Sequence, residues 1–460
     1  MIVYRSPTRV VDAGKLRQIS DPTALLVEFG EVEAALMDAR FPERDGLAAR
    51  LTLEDIPDRQ ITVPVAEGYA YYGLFPEMYA ESTRRFWSQV RPAEVVVIGL
   101  RGIGTSLSTV VETTLKRLGV CVHSFTVRPR GHPFHRELRI TEELADHWRS
   151  LGPAHFIVVD EGPGLSGSSF CGAARKLSEL GIPDERIVFF SSWEGDAEAF
   201  RSEDAQRRWG RHKVFWAEYQ ADPGLVDISA GQWRALFYKD ESDYPETIPQ
   251  HEARKYLGGR SVRKFSGLGK YGEAKLQRAE LLADAGFSPR VYGLDGGFIE
   301  TKWVPGLPGE VPPPSRVAEY LAFRSKHFPT GDATRPQELL EMIEVNAGIA
   351  GLELPEPAAA VITDGRLLPH EWVGGSKTDA LDHGDNHFFP GPTDIAWDIA
   401  ALKVELGMDI AYEYAQLSGD RGIAQRLPFY DVAYRAFRSG YGKMFGLKQE
   451  APVTACQPAA

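Results

Sequence analysis

The sequence predicts an α/β protein, with a parallel, doubly wound sheet in its first half and a second α+β unit after it. Three observations carry that prediction. Apolar runs in the first half are continuous rather than alternating, as in strands buried on both faces. Each run is followed by a helix-period segment, the order of a parallel sheet built with crossovers. Between about 220 and 250, ADPGLVDISAGQ and DESDYPETIPQ concentrate acids, Pro and Gly and mark a boundary.

Residues 1–60 give weaker signals, with a helical patch over 32–40. The aromatic-rich segment PVAEGYAYYGLFPEMYAESTRRFW follows and reads as a cover over a sheet edge, its rings assigned to packing. VVVIGL (95–100) is then a strand, RGIGT a loop, SLSTVVETTLKRLG a helix ending at Gly119, and VCVHSFTV (120–127) a second strand. A polar stretch leads to a helix over 141–149, the strand FIVV (156–159), a Gly/Ser loop, a helix through FCGAARKLSELG and the strand RIVFFSSW (186–193). In such sheets ligands sit beyond the strand C-termini, where both Gly loops fall. The second unit shows a strand over 261–265, a helix over 272–285, a strand pair within 291–303, a Pro-rich break at 305–314, and helices after 315 and after 394. The expected units are residues 1–230, with a core at about 94–195, and 231–447, followed by a flexible tail over 448–460.

At 460 residues the chain exceeds what one core usually organises. Its 43% apolar and 25% charged content is that of an ordinary globular protein. The formal charge is −12, from 52 basic and 64 acidic residues, and no dense Lys/Arg tract occurs. That balance argues against nucleic acid or an anionic membrane as the main partner. Cys121, Cys171 and Cys456 make neither a disulfide framework nor a C-x-x-C pair, which fits a reducing compartment. There is no signal-peptide-like apolar core and no apolar run of about 18 residues, so a cytoplasmic location is expected. Oligomeric state stays open, a homo-oligomer included.

The most informative stretch is HFIVVDEGPGLSGSSF (155–170). An acid pair at a strand's C-terminal edge, Asp160 and Glu161, suits diol hydroxyls or a magnesium ion. Gly164 and Gly167 let main-chain N–H groups converge on an anion without a Cβ in the way, and Ser166, Ser168 and Ser169 add hydroxyl donors. The following helix turns its positive end toward the loop. Upstream, GLRGIGTSL puts Arg101 and Gly102 directly after a strand, a guanidinium and Cβ-free amides suited to a pyrophosphate. A dinucleotide fold loses the comparison, because Leu107 occupies the third fingerprint glycine position and VCVHSF lacks a terminal acid. RPRGHPFHREL, with Arg128, Arg130 and Arg136, reads as a cationic lid; His132 and His135 lack the spacing of zinc ligands.

This order of strand, two acids and Gly/Ser loop resembles the phosphoribosyl-pyrophosphate (PRPP) motif of type I phosphoribosyltransferases, with a loop about one residue longer. GYAYYGLFPE and DEGPGLSGSS also resemble phosphoribosyltransferase-like proteins of bacterial tellurite-resistance-type operons. The resemblance implies displacement at C1 of PRPP by an unknown small acceptor, with magnesium on the pyrophosphate. Asp160 and Glu161 would hold the ribose hydroxyls, directly or through the ion. Gly164, Ser166, Gly167, Ser168 and Ser169 would hold the 5′-phosphate; Arg101 and Gly102 would contact pyrophosphate, with Arg128 and Arg130 on the closing loop. The rival expectation is a regulatory protein that binds nucleotide or PRPP without turnover.

The second unit resembles the aminoglycoside-phosphotransferase branch of the kinase-like fold. KYLGGRSVRKF places two glycines before a strand carrying Lys264, and Glu280 follows sixteen residues later, spacing for a Lys–Glu pair on nucleotide phosphates. ATP and magnesium are the implied ligands. Two registers compete for the acid-rich segment. HGDN makes Asp385 the catalytic base, and Asp385 is also the second candidate for the magnesium site, but the family's asparagine position then holds Pro390. Alternatively PHEW replaces that loop, Asp379 binds metal, Asp398 is structural, and Trp372 stands where the catalytic Asp would be. The second register fits the spacing better, and leaves either a weakened kinase or a binding module.

Overall fold

The computed structural model describes residues 8–249, 252–381 and 390–447; Asp385 and the rest of HGDN lie outside them. The chain forms two compact units, divided at Asp222/Pro223, with Leu268–Lys270 grouped with the first. Among the described residues no helix is long and apolar enough to cross a membrane.

In the first unit, β1 (Thr8–Asp12) and β2 (Gln60–Pro64) pair antiparallel around α1 (Pro22–Arg40), whose Asp21 cap accepts from the Ala24 amide at 2.6 Å. After α2 (Pro76–Val90), the chain enters β3 (Glu94–Leu100), α3 (Ile103–Arg117) and β4 (Cys121–Val127). A hairpin of β5 (Arg130–His132) and β6 (His135–Glu137) precedes α4 (Glu142–Ser150), β7 (His155–Val159) and α5 (Ser168–Glu179). The unit continues through β8 (Ile187–Ser191), α6 (Glu203–Arg208) and β9 (Lys213–Trp216).

Five strands make one parallel sheet in the order β4-β3-β7-β8-β9, so this part of the protein is mixed α/β. Its continuous apolar strands are buried because both faces are covered. Val96, Ile98, Phe156 and Val158 pack with Leu144 and Trp148 of α4 and Phe170, Ala174 and Leu177 of α5. On the opposite face α3 comes so close that a Cβ on Gly99 would lie 2.5 Å from the Gly104 carbonyl, and Phe86 of α2 meets Phe190 and Phe215 edge-on. The fifth strand, KVFW, was not expected; four residues carry too little periodicity to read. The basic stretch expected as a lid is the β5–β6 hairpin, turned at Pro133 and Phe134, with Gly131 in β5 at φ +102°.

The second unit carries an antiparallel sheet in the order β10 (Val226–Asp227), β11 (Lys255–Gly258), β12 (Ser261–Phe265), β14 (Phe298–Lys302), β13 (Val291–Asp295). Between β12 and β13 lies α7 (Lys270–Asp284), and beyond the sheet come α8 (Pro314–His327), β15 (Pro329–Ala333), α9 (Pro336–Ala347) and β16 (Ala359–Val361). The short pair β17 (Trp372–Val373) and β18 (Ser376–Lys377) precedes α10 (Ala396–Leu406), α11 (Ala411–Ser418) and α12 (Ile423–Phe445). Their core includes Tyr320, Trp372, Trp397, Tyr434 and Phe437.

Candidate functional site

β7 ends at Val159, and Asp160 and Glu161 step off its C-terminal edge, partly buried. The Asp160 carboxylate sits against the first turn of α3 and accepts from the Gly104 amide. A Cβ on Gly104 would lie 2.6 Å from the Val159 carbonyl and 3.1 Å from Asp160 Oδ1, so only glycine lets the helix approach. Glu161 accepts from the Gly68 amide at 3.0 Å, and the Tyr79 hydroxyl donates to the Asp160 carbonyl at 2.6 Å. The aromatic segment thus supplies an amide and a hydroxyl to the acid pair. Nothing in the 2- to 4-residue motifs foretold those partners.

Burial dominates the electrostatics. It pushes Asp160 up to about 6, against the Glu161 and Gly104 amides and the Arg128 charge. Glu161 rises to about 8, through burial and then the charges of Glu67 and Asp160, with the Gly68 amide opposing. Among the described residues no salt bridge reaches either acid. Two adjacent carboxylates raised by burial, Glu161 above neutrality and Asp160 less so, fit a hard divalent cation, which would favour their ionised form.

The loop after the pair turns on Gly164 (φ +60°) and Gly167 (φ +62°), closed by the Gly167 amide on the Pro163 carbonyl at 3.0 Å. Gly167 caps α5, whose first amides have no partner within the helix. Ser166 and Ser169 are partly buried around this turn. Ser168 differs from expectation: its hydroxyl donates to the Pro133 carbonyl at 2.6 Å, tying the loop to the β5–β6 hairpin. Its side chain is a link between loops, and its oxygen contacts Ser166 Oγ at 3.1 Å.

Arg101 requires the largest correction. Its side chain is fully buried, ion-paired to Asp45 and to Asp38 at 3.1 Å, so it does not face a pyrophosphate. The cause is two acids from the segment ahead of the sheet, which hold three arginines together. Arg128 Nε donates to Asp38 at 3.0 Å, and the Arg128 amide to Asp45 at 2.9 Å. Arg130 reaches Asp45 at 3.4 Å and also donates to the Phe41 carbonyl. Burial draws Arg101 down to about 10, with Asp38 opposing and Arg128 and Arg130 adding to the drop. Arg128 and Arg130 are partly exposed, Gly102 caps α3 with φ +127°, and no neighbouring atom crowds the Cβ side of Gly102.

In the second unit, Lys264 of β12 donates to Asp379 at 2.7 Å. The expected Lys264–Glu280 pair does not form. The buried side of α7 carries Gly272, Lys275, Arg278, Ala279 and Leu282, and helix phase leaves Glu280 exposed. The Lys264–Asp379 pair lines a cavity of about 230 Å³ with Lys255, Glu252, Trp303 and His370. Two ring stacks flank it, Trp233 on His370 (5.5 Å, 25°) and Phe237 on Trp303 (5.4 Å, 13°). Burial and then Arg366 press His370 down to about 3, so it is a neutral ring.

Beside the cavity, Lys377 is fully buried between Glu371 (2.9 Å) and Asp364 (3.1 Å) and donates to the Asp379 carbonyl. Burial alone would lower Lys377; the carboxylates of Asp364, Glu371 and Asp379 outweigh it and raise it. Asp398 accepts from the Asp364 and Gly365 amides at 2.8 and 2.9 Å, a structural task. Trp372 is 1% exposed and packs on Tyr320, so its position offers no acid to the cavity.

No protein-family model matches the chain, and no curated protein matches it either. Solved structures similar to it include a choline/ethanolamine kinase family protein from Mesorhizobium loti, at 16% identity over 42% of this chain and 76% of that one, with a TM-score of 0.29. Another is the choline kinase LicA from Streptococcus pneumoniae, at 14% identity over 42% and 82% of the two chains, with a TM-score of 0.26. A third is the GDP complex of wild-type aminoglycoside 2′-phosphotransferase-IIIa, at 13% identity over 42% and 83%, with a TM-score of 0.27. TM-scores this low set no residue equivalences.

Proposed function

We propose that the first unit is a magnesium-dependent phosphoribosyltransferase-like domain acting on PRPP and a small acceptor. The carrying observation is the Asp160–Glu161 pair at the open edge of a parallel sheet, followed at once by a Gly/Ser turn that caps α5. Asp160 and Glu161 would hold the ribose hydroxyls, directly or through a magnesium ion. Amides of the Gly164–Gly167 turn, with Ser166 and Ser169, take the 5′-phosphate. Gly102 and the exposed edges of Arg128 and Arg130 take the pyrophosphate, while Arg101 shares the acids Asp38 and Asp45 that hold those arginines.

Magnesium, when bound, neutralises the pyrophosphate and favours its departure. In the displacement the C1–oxygen bond to pyrophosphate breaks, taking the electron pair, and the acceptor's lone pair forms the new bond to C1. The positive charge that develops on the ribose is stabilised by the ionised acids beneath it, so positioning and electrostatics outweigh any need for a strong base. The test is thermal denaturation with magnesium and PRPP. Wild type should gain stability by mass action and release pyrophosphate when an acceptor is found, and Asp160→Asn with Glu161→Gln should lose both while still folding. Unchanged PRPP affinity in that folded double variant would overturn the assignment.

A second reading concerns the second unit. The Lys264–Asp379 pair in an aromatic-walled cavity supports magnesium-dependent nucleotide binding, and the core position of Trp372 supports binding without phosphoryl transfer. On this reading the unit senses a nucleotide rather than spending one.

A further inference from the structure

At the opposite end of the parallel sheet from Asp160, three metal-binding side chains meet. β3 and β4 pair in parallel with Glu94 beside Cys121 and Val96 beside His123. Cys121 and His123 are two residues apart on one strand and share a face, and the register brings Glu94 onto the same face. Glu94 Oε1 lies 3.0 Å from His123 Nε2, and Cys121 Sγ lies 3.9 Å from Glu94 Oε1 and 4.0 Å from His123 Nε2. Those three donor atoms are mutually close enough to share one ion.

Zinc bond lengths put the ligand-to-ligand edges of a tetrahedral site at about 3.3–3.6 Å, so shifts of roughly half an ångström complete the geometry. One sulfur, one nitrogen and one carboxylate oxygen form a donor set for a borderline-soft cation and not for magnesium. Cys121 is exposed and the other two are partly so, which leaves an entry path and a fourth position for water. His147 of α4 stands next to the site, its ring centroid 6.1 Å from that of His123.

We propose that Glu94, Cys121 and His123 form a zinc-class metal site that clips the start of the edge strand β4 to β3. β3 runs for seven residues between this site and the acid edge, about 20 Å of extended chain, so the ion takes no part in chemistry at Asp160. Its effect is to fasten an edge strand that has a neighbour on one side only.

The full-length chain without an affinity tag should take up one equivalent of zinc in competition with a chromophoric chelator. Cobalt(II) in its place should give intense tetrahedral visible bands and a thiolate-to-metal charge-transfer band in the near ultraviolet. Cys121→Ser should abolish that band and weaken zinc binding at least about 100-fold, more than loss of an outer-shell partner does. Cys456→Ser should leave both unchanged. In the wild-type chain, zinc should protect Cys121 from alkylation, a reading independent of any variant. A band that survives Cys121→Ser, or alkylation of Cys121 at an equal rate with and without zinc, overturns the site.

Discussion

The two units handle buried carboxylates in opposite ways. At the edge of the parallel sheet, Asp160 and Glu161 receive amide hydrogen bonds but no salt bridge among the described residues, and burial drives both toward their protonated forms. In the second unit, Asp364 and Glu371 sandwich the Lys377 ammonium, and Asp379 holds Lys264. Among the described residues, side-chain cations pair directly with the second set of acids, whereas the first feels only the more distant Arg128 charge. On the proposed function the first would receive an ion together with its ligand, and the second would give up the Lys264–Asp379 contact before a nucleotide phosphate could take Lys264.

The severest way to break this contrast is at the arginine cluster, which uses the second unit's strategy inside the first. Arg101→Ala leaves the buried Asp45 and its neighbour Asp38 short of their central cation, and loss of one member of a buried pair costs about 3–5 kcal/mol. Denaturant unfolding should show that loss without any ligand present. If Arg101→Ala unfolds like wild type but loses pyrophosphate affinity, Arg101 contacts ligand directly and the buried arrangement is not the working one.

Lys264→Ala and Asp379→Ala sharpen the comparison from the other side. Each should weaken magnesium–ATP binding to the full chain by about 1.5–3 kcal/mol, the worth of a charge-assisted contact, as read by calorimetric titration. Because Lys264→Ala removes a cation 2.7 Å from Asp379, it should raise magnesium affinity at Asp379 when nucleotide is left out. A drop in magnesium affinity would remove Asp379 from consideration as a metal ligand.

A subtler effect follows from protonation. Glu161 has its folded-state value near 8, far above that of an unfolded glutamate, so the native state holds the extra proton between about 4.5 and 8. Stability from this group is full at the acid end of that window and is lost as pH rises through it. Glu161→Gln cannot lose a proton there, so its midpoint should fall less than that of wild type between pH 5.5 and 8.5. A difference of about 1 kcal/mol moves the midpoint by roughly 2–4 °C in a unit of this size. Saturating magnesium and PRPP should flatten the wild-type slope, because the bound form is ionised. Equal pH profiles for the two proteins would refute the burial-driven shift. The smallest effect is expected at Glu280→Ala: exposed and on the wrong side of α7, it should change ATP affinity and stability by no more than about 0.5 kcal/mol.

These cases separate what residue order reveals from what it hides. The runs at 95–100, 120–127, 156–159 and 186–193 were legible as strands because burial on both faces demands uninterrupted apolar sequence. The acid pair and the Gly/Ser turn were legible because they are contiguous. Direction was not. Arg101 had the right type and the right loop, but the acids that draw it inward, Asp38 and Asp45, belong to a weakly patterned segment with no sequence sign of where it packs. Glu280 sat at a plausible spacing, yet spacing along a chain does not fix helix phase, and the buried stripe of α7 runs past it. The short strands β9, β10 and β11 were missed because two to four residues express almost no period.

Gly104 carries a consequence for mutational tolerance. Its missing Cβ is what lets the first turn of α3 donate to Asp160 while resting on the Val159 carbonyl. No larger residue can enter without lifting the helix off the sheet, so a saturation library scored for folded, ligand-binding chains should find this position nearly closed. Gly102, two residues earlier, has open space on its Cβ side and is restricted only by its φ of +127°. Two glycines at the start of α3 thus resist substitution for different reasons, one bound by volume and the other by torsion.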